Sequence, residues 1–142
     1  MKKILIALFC AFFSAHAIAA GGLDGFLSKL NAQAKSDLAG FSAKISAQFG
    51  IPEAQVKGVL STVKQPADAF MVFQLGKMAS QPTEKVMYVY QSGQGKGWGA
   101  LAKELGIKPG SAEFHALKRG DFQLEGESND GPKGKGRGKA KH

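Results

Sequence analysis

Cysteine is almost absent from this chain. Cys10 is the only one, and it sits inside the apolar run of residues 4–13. The residue before it is Phe9, where a lipoprotein signal needs a small side chain. Past that run there is no thiol, so disulfide staples and cysteine chemistry are excluded and packing alone must hold the fold. Histidine is nearly as scarce. His16, His115 and His142 are the full set, and none has a histidine three or four residues away. Metal sites need three or four convergent ligands, so no metal is expected. Beyond the N-terminal run, no stretch approaches the roughly 20 apolar residues that cross a bilayer. No acid, base or nucleophile set stands out, so no catalytic residue and no cofactor are expected.

The N-terminus has the three-part pattern of an export signal. Lys2 and Lys3 precede the apolar run, and Ser14, Ala15, Ala17, Ala19 and Ala20 come after it. Signal peptidase accepts small side chains at the third and first positions before its cut. Ala17-Ile18-Ala19 satisfies that with cleavage before Ala20, and Ala15-His16-Ala17 satisfies it too. Residues 1–20 are therefore read as a signal peptide, which implies a periplasmic or secreted protein with no transmembrane segment after cleavage. The remaining chain is long enough for one domain.

Residues 21–125 read as an all-α domain, a bundle of four to six helices. Leu23, Phe26, Leu27, Leu30, Ala34, Leu38, Phe41, Ile45 and Phe49 recur at three- and four-residue steps, which predicts one amphipathic helix over 24–49. Its stripe is near heptad spacing, but Gly25 and Gly40 argue against a stable coiled coil with a second copy. Gly50 is a natural stop. Pro52, Pro66 and Pro82 then open helices predicted over 52–62, 67–79 and 83–91. Met87-Tyr88-Val89-Tyr90 has strand propensity, yet the proline rhythm favours helix. A glycine at every second position comes next, from Gly93 to Gly99. Two short helices are predicted beyond it, over 98–105 and 111–118, with a Gly106-Ile107 stop and a Ser111 cap. The expected core draws on Phe26, Leu30, Leu38, Phe41, Ile45, Val59, Leu60, Phe70, Phe73, Val86, Tyr90, Trp98, Leu101, Leu105, Phe114 and Leu117. From Gly126 onward no apolar residue exceeds Ala140 in size, so residues 126–142 are predicted to be a disordered Gly/Lys-rich tail.

The motifs that tempt a sharper reading are weak. Glycine loops cradle phosphates, but the nucleotide fingerprints need a preceding strand or Gly-Lys-Ser/Thr, and Lys96 is followed by Gly97. The loop reads either as a connector that folds Trp98 onto the core or as an anion- or glycan-binding loop with Trp98 as a surface contact. Leu101-Ala-Lys-Glu-Leu-Gly-Ile107 looks like the first half of a helix-turn-helix, but Pro109-Gly110 occupies the turn and His115 falls where a buried aliphatic is expected. An exported protein meets no promoter, so sequence-specific DNA is not an expected partner.

Charge is the remaining signal. The chain has 19 basic and 11 acidic residues, net +8. Lys133, Lys135, Arg137, Lys139 and Lys141 crowd the tail, and Lys96, Lys103, Lys108, Lys118 and Arg119 lie in the segment before it. Such a field draws polyanions, so these ten residues are the candidate anion-binding set, with an anionic polymer or lipopolysaccharide as partner. The alternative is a chaperone-like helical protein that contacts another envelope protein, with a tail that only solubilises.

Gly95-Lys-Gly-Trp-Gly99, Lys103-Glu-Leu-Gly-Ile-Lys-Pro-Gly-Ser111 and Glu113-Phe-His-Ala-Leu-Lys118 together resemble a family of small exported bacterial proteins that share this segment and often end in a Gly/Lys/His-rich tail. The resemblance implies export and a compact C-terminal helical pair in which Trp98, Pro109, Gly110, Ser111, Phe114 and Leu117 form one folded unit. It transfers no catalytic residue.

Overall fold

The computed structural model describes residues 22–125, all of whose regular structure is helical. The signal peptide and the tail predicted from sequence lie outside the described residues. The seven helices among the described residues are α1 (Gly22–Ser36), α2 (Leu38–Phe49), α3 (Glu53–Thr62), α4 (Pro66–Ala79), α5 (Thr83–Ser92), α6 (Trp98–Glu104) and α7 (Ala112–Arg119). The sequence leads one to expect six at most, and the extra helix arises at Asp37.

The stripe predicted as one helix over 24–49 is two helices. Asp37 leaves helical geometry at φ −153° and caps α2, its Oδ1 accepting from the Gly40 N–H at 2.9 Å. In sequence Gly40 reads as a weak point of a continuous helix. It is instead the third residue of α2, where a Cβ would collide with the Asp37 carboxylate. The break turns the stripe, and Leu38, expected in the core, is 53% exposed. Pro52 and Pro66 also differ from expectation by one position, Pro52 standing before α3 as its N-cap and Pro66 lying inside α4 as its first residue, whereas Pro82 precedes α5 as predicted.

The middle of the molecule is α4. Ala67, Ala69, Phe70, Met71, Val72, Phe73, Leu75 and Gly76 are buried, on every side of its axis. A helix apolar all round must be covered all round, and α1, α3 and α5 pack against this one. Its first turn is tied to α1 by Asn31, whose Oδ1 accepts from the Ala67 N–H at 2.9 Å and satisfies one of the free donors of the helix start. Phe70 is at 0% exposure, and Phe26 of α1 and Phe49 of α2 meet it edge-on with centroids 5.2 and 5.5 Å away. Leu60, Phe26 and Trp98, all expected in the core, are partly buried at its margin, and the other predicted core residues apart from Leu38 are buried.

The segment after α7 also joins the core, which its sequence does not announce. Residues 121–125 run as a non-helical strap back across the bundle. Phe122 packs against Phe26 and Phe70, and Leu124 is 1% exposed. The Gln48 side chain holds the strap with both ends of its amide. Its Nε2 donates to the Gln123 carbonyl at 2.9 Å, and its Oε1 accepts from the Glu125 N–H at 2.8 Å. The strap begins at Gly120, whose φ of 66° suits glycine, and a Cβ there would lie 2.7 Å from the Gly22 carbonyl oxygen.

Two substitutions test this arrangement in urea unfolding. Gly58 lies exposed within α3 with open space where a Cβ would stand. Gly58→Ala is expected to raise stability by about 0.5–1 kcal/mol, because alanine leaves less backbone freedom to lose. Leu124→Ala is expected to lower it by about 2–5 kcal/mol, the range for an aliphatic side chain removed from a tight core. An unchanged midpoint for Leu124→Ala would show that the strap is not part of the cooperative unit.

Candidate functional site

The glycine-rich segment ends α5 and leads into α6. Gly93 is buried, and a Cβ there would strike the Leu101 side chain. The tight approach brings Trp98 back over α5. Its indole stacks on the Tyr90 ring with centroids 5.7 Å apart and planes 23° apart. Trp98 is therefore a half-buried residue that joins the loop to the core margin and still reaches solvent.

Tyr90 is the polar centre of this corner. Its hydroxyl donates to Asp68 Oδ2 at 2.7 Å and accepts from the Lys64 backbone N–H at 3.1 Å. Asp68 lies in the first turn of α4 and Lys64 in the connection before it, so one hydroxyl ties α5 to the α3–α4 turn. Burial pushes the Tyr90 phenol up to about 12, opposed by the Lys64 N–H and reinforced by the Asp68 carboxylate. Beside the pair opens a cleft of about 150 Å³ whose lining includes Lys64, Asp68, Gln94, Lys96 and Trp98. Sequence reasoning does not find this cleft. Asp68 and Tyr90 are 22 residues apart, and nothing in the local pattern pairs them.

The basic residues singled out from sequence divide into groups. Lys96 is engaged with Glu104 at 2.9 Å, and Arg119 with Asp121 at 2.7 Å; all four side chains are exposed. Lys103 of α6 and Lys118 of α7 converge on one ring. Their ammonium groups stand 5.9 and 5.5 Å from the Phe114 centroid. Both are exposed, and neither pairs with a carboxylate among the described residues. Lys108 is exposed in the turn between these helices. Lys133, Lys135, Arg137, Lys139 and Lys141 lie outside the described residues.

Capping chemistry makes the α6–α7 corner. The Ile107 N–H bonds back to the Ala102 carbonyl at 2.9 Å and the Gly106 N–H to the Lys103 carbonyl at 3.0 Å. That double closure is a Schellman stop. Ile107 is buried behind it. Ser111 then caps α7, its Oγ accepting from the Phe114 N–H at 3.2 Å. Among the described residues, no three His, Cys, Asp or Glu side chains are grouped to hold a metal ion. No helix among them is long and apolar enough to cross a membrane. Comparison with known proteins adds no relative: no family model, no curated protein and no solved structure matches the chain.

The Tyr90 assignment has a pH signature. A phenol whose value is raised on folding keeps the folded state favoured below the unfolded value of 10.0, and that contribution is lost as pH climbs toward about 12. Stability of the protein is therefore expected to fall across that window. Tyr90→Phe should flatten the fall relative to the parent chain, read as the difference between their unfolding midpoints at each pH. Parallel profiles would rule out a raised phenol.

Proposed function

We propose that this is an exported, non-enzymatic helical protein that binds an anionic envelope component or polymer, such as lipopolysaccharide, through its C-terminal basic residues and tail. The observation that carries the reading is the convergence of Lys103 and Lys118 on Phe114. Two helices bring two exposed ammonium groups to one ring, and no carboxylate neutralises either among the described residues. Lys108 in the intervening turn adds to the same segment. The export reading rests on the N-terminal signal pattern and on the resemblance carried by residues 95–118. Five further cations lie in the tail.

Exposure of Tyr88 at 66% and Leu38 at 53% favours a second reading, in which the helical domain docks another envelope protein. The two differ in salt response. Cations that neutralise a polyanion release its counterions, so that binding falls steeply with salt, whereas apolar docking does not.

The test is a titration with lipopolysaccharide, an acidic polysaccharide and duplex DNA from about 50 to about 300 mM salt, a range over which multi-site anion contacts weaken by orders of magnitude. Three proteins are compared: the processed chain, a version ending at Glu125, and Lys103→Ala/Lys118→Ala. The tail-less version is expected to lose most of the affinity. The double variant is expected to lower the salt slope by about two, one for each lysine removed. Absence of binding by the processed chain would overturn the anion reading and turn attention to the docking surface.

A further inference from the structure

We propose that the cleft between Tyr90, Trp98 and the glycine loop binds one uncharged sugar ring of a glycan. This goes beyond the anion reading and does not depend on it. The cleft is small. At about 150 Å³ it falls below the roughly 300–1,000 Å³ of sites for drug-sized ligands, so its occupant is a single ring and not a nucleotide.

The lining has the chemistry of a polyhydroxylated ring. The half-buried Trp98 indole, backed by the buried Tyr90 ring on which it stacks, gives the cleft an amphipathic wall, apolar on its face and polar at its N–H. The C–H face of a pyranose packs on such a surface. A sugar hydroxyl both donates and accepts, so its site needs both partner types close together. The fold uses only part of what is present. The link between α4 and α5 engages Asp68 Oδ2 and leaves Oδ1 without a hydrogen bond among the described residues. The Gln94 amide and the Trp98 indole N–H likewise have no bond among them. The residues that line the cavity thus carry an acceptor, a mixed amide and a donor beside an aromatic wall.

Charge balance separates this ligand from an anion. The Lys96 ammonium at the rim is already paired with Glu104. Asp68 sets a carboxylate opposite the remaining lysine of the lining, Lys64. A phosphate entering here would meet Asp68 directly. Like charges repel there, whereas an uncharged ring can donate a hydroxyl to the same carboxylate.

Trp98 is the only tryptophan in the chain, so its indole resonance reports on this corner alone. The experiment titrates the purified protein with cellotriose, with chitotriose and with inorganic phosphate, following that resonance and measuring Kd by calorimetry at low and high salt. One of the two trisaccharides is expected to shift the indole signal saturably, with a Kd little changed by salt. Asp68→Asn retains a carbonyl acceptor for Tyr90, and Gln94→Ala changes an exposed loop side chain. Each is expected to weaken binding about threefold to tenfold, the effect of one net hydrogen bond. Silence with both trisaccharides, a shift with phosphate instead, or wild-type affinity in both variants would overturn the proposal. Sugar binding that persists at salt concentrations that abolish polymer binding shows the two properties to be separate, so either can fail alone.

Discussion

Phe70 occupies the point where four segments of the chain meet. Rings from α1, α2 and the C-terminal strap close on it from different sides, while its own helix supplies Met71, Val72, Phe73 and Leu75 to the same interior. With Cys10 confined to the N-terminal run, no covalent staple joins the helices of the described domain. Three edge-on or tilted contacts with one ring must then fix the relative placement of segments distant in sequence. Such aromatic pairs contribute about 0.5–1.5 kcal/mol each beyond the area they bury. Their larger role is geometric, since a quadrupole prefers an edge approach over a free rotation. The strap joins this junction through Phe122, whose ring meets Phe26 and Phe70, and is held beside it by buried Leu124 and the Gln48 amide.

The cleft inherits its position from the same helix. Asp68 precedes Phe70 by two residues in α4, so seating Phe70 at the core sets where the Asp68 carboxylate emerges. Tyr90 reaches it from α5, which packs along α4. The ordering therefore runs from an apolar centre outward to a polar corner. The hydroxyl that links the two helices is shielded enough to hold its proton well above the ordinary value. A shielded phenol beside a carboxylate costs little because each satisfies the other. The glycine loop then needs only to bring Trp98 over the pair, and buried Gly93 permits the close approach to Leu101.

Sequence reasoning reaches the helical class and most helix boundaries because they rest on local physics. Gly50, Gly106 and Gly120 stop helices, and Ser111 starts one, for reasons contained in a few residues. It fails where two local rules compete. Over 24–49 the apolar period is continuous enough to hide the cap at Asp37, since aspartate inside a helix and aspartate before one look alike without knowledge of what Gly40 admits. The consequence is Leu38, assigned inward on a stripe that has already turned. Phe122 and Leu124 escape notice because a five-residue strap has no period to detect, and its anchor, Gln48, is an ordinary polar residue 75 positions away from Gln123. The Asp68–Tyr90 pair is illegible for the same reason. The α6–α7 corner lies between these cases. Its lysines are readable as charges, but their meeting at Phe114 requires the angle between two helices.

Charge counting also changes meaning once partners are known. Ten cations are candidates from sequence, and two of the five within the described residues are engaged: Lys96 with Glu104 and Arg119 with Asp121. Exposed pairs of this kind are worth about 0–1 kcal/mol, because water and salt screen them and two long side chains must be held still. They are therefore a weak brake. On the proposed reading, a polyanion held by Lys103, Lys108 and Lys118 would need little additional energy to draw Lys96 or Arg119 away from its carboxylate. The same pairs act differently on a small neutral ligand, which gives no such incentive and leaves Lys96 on Glu104. On the two proposals, Lys96 would then serve differently according to what approaches: released to join a cationic surface toward a polymer, and kept on Glu104 as part of a charge-balanced rim toward a single sugar ring.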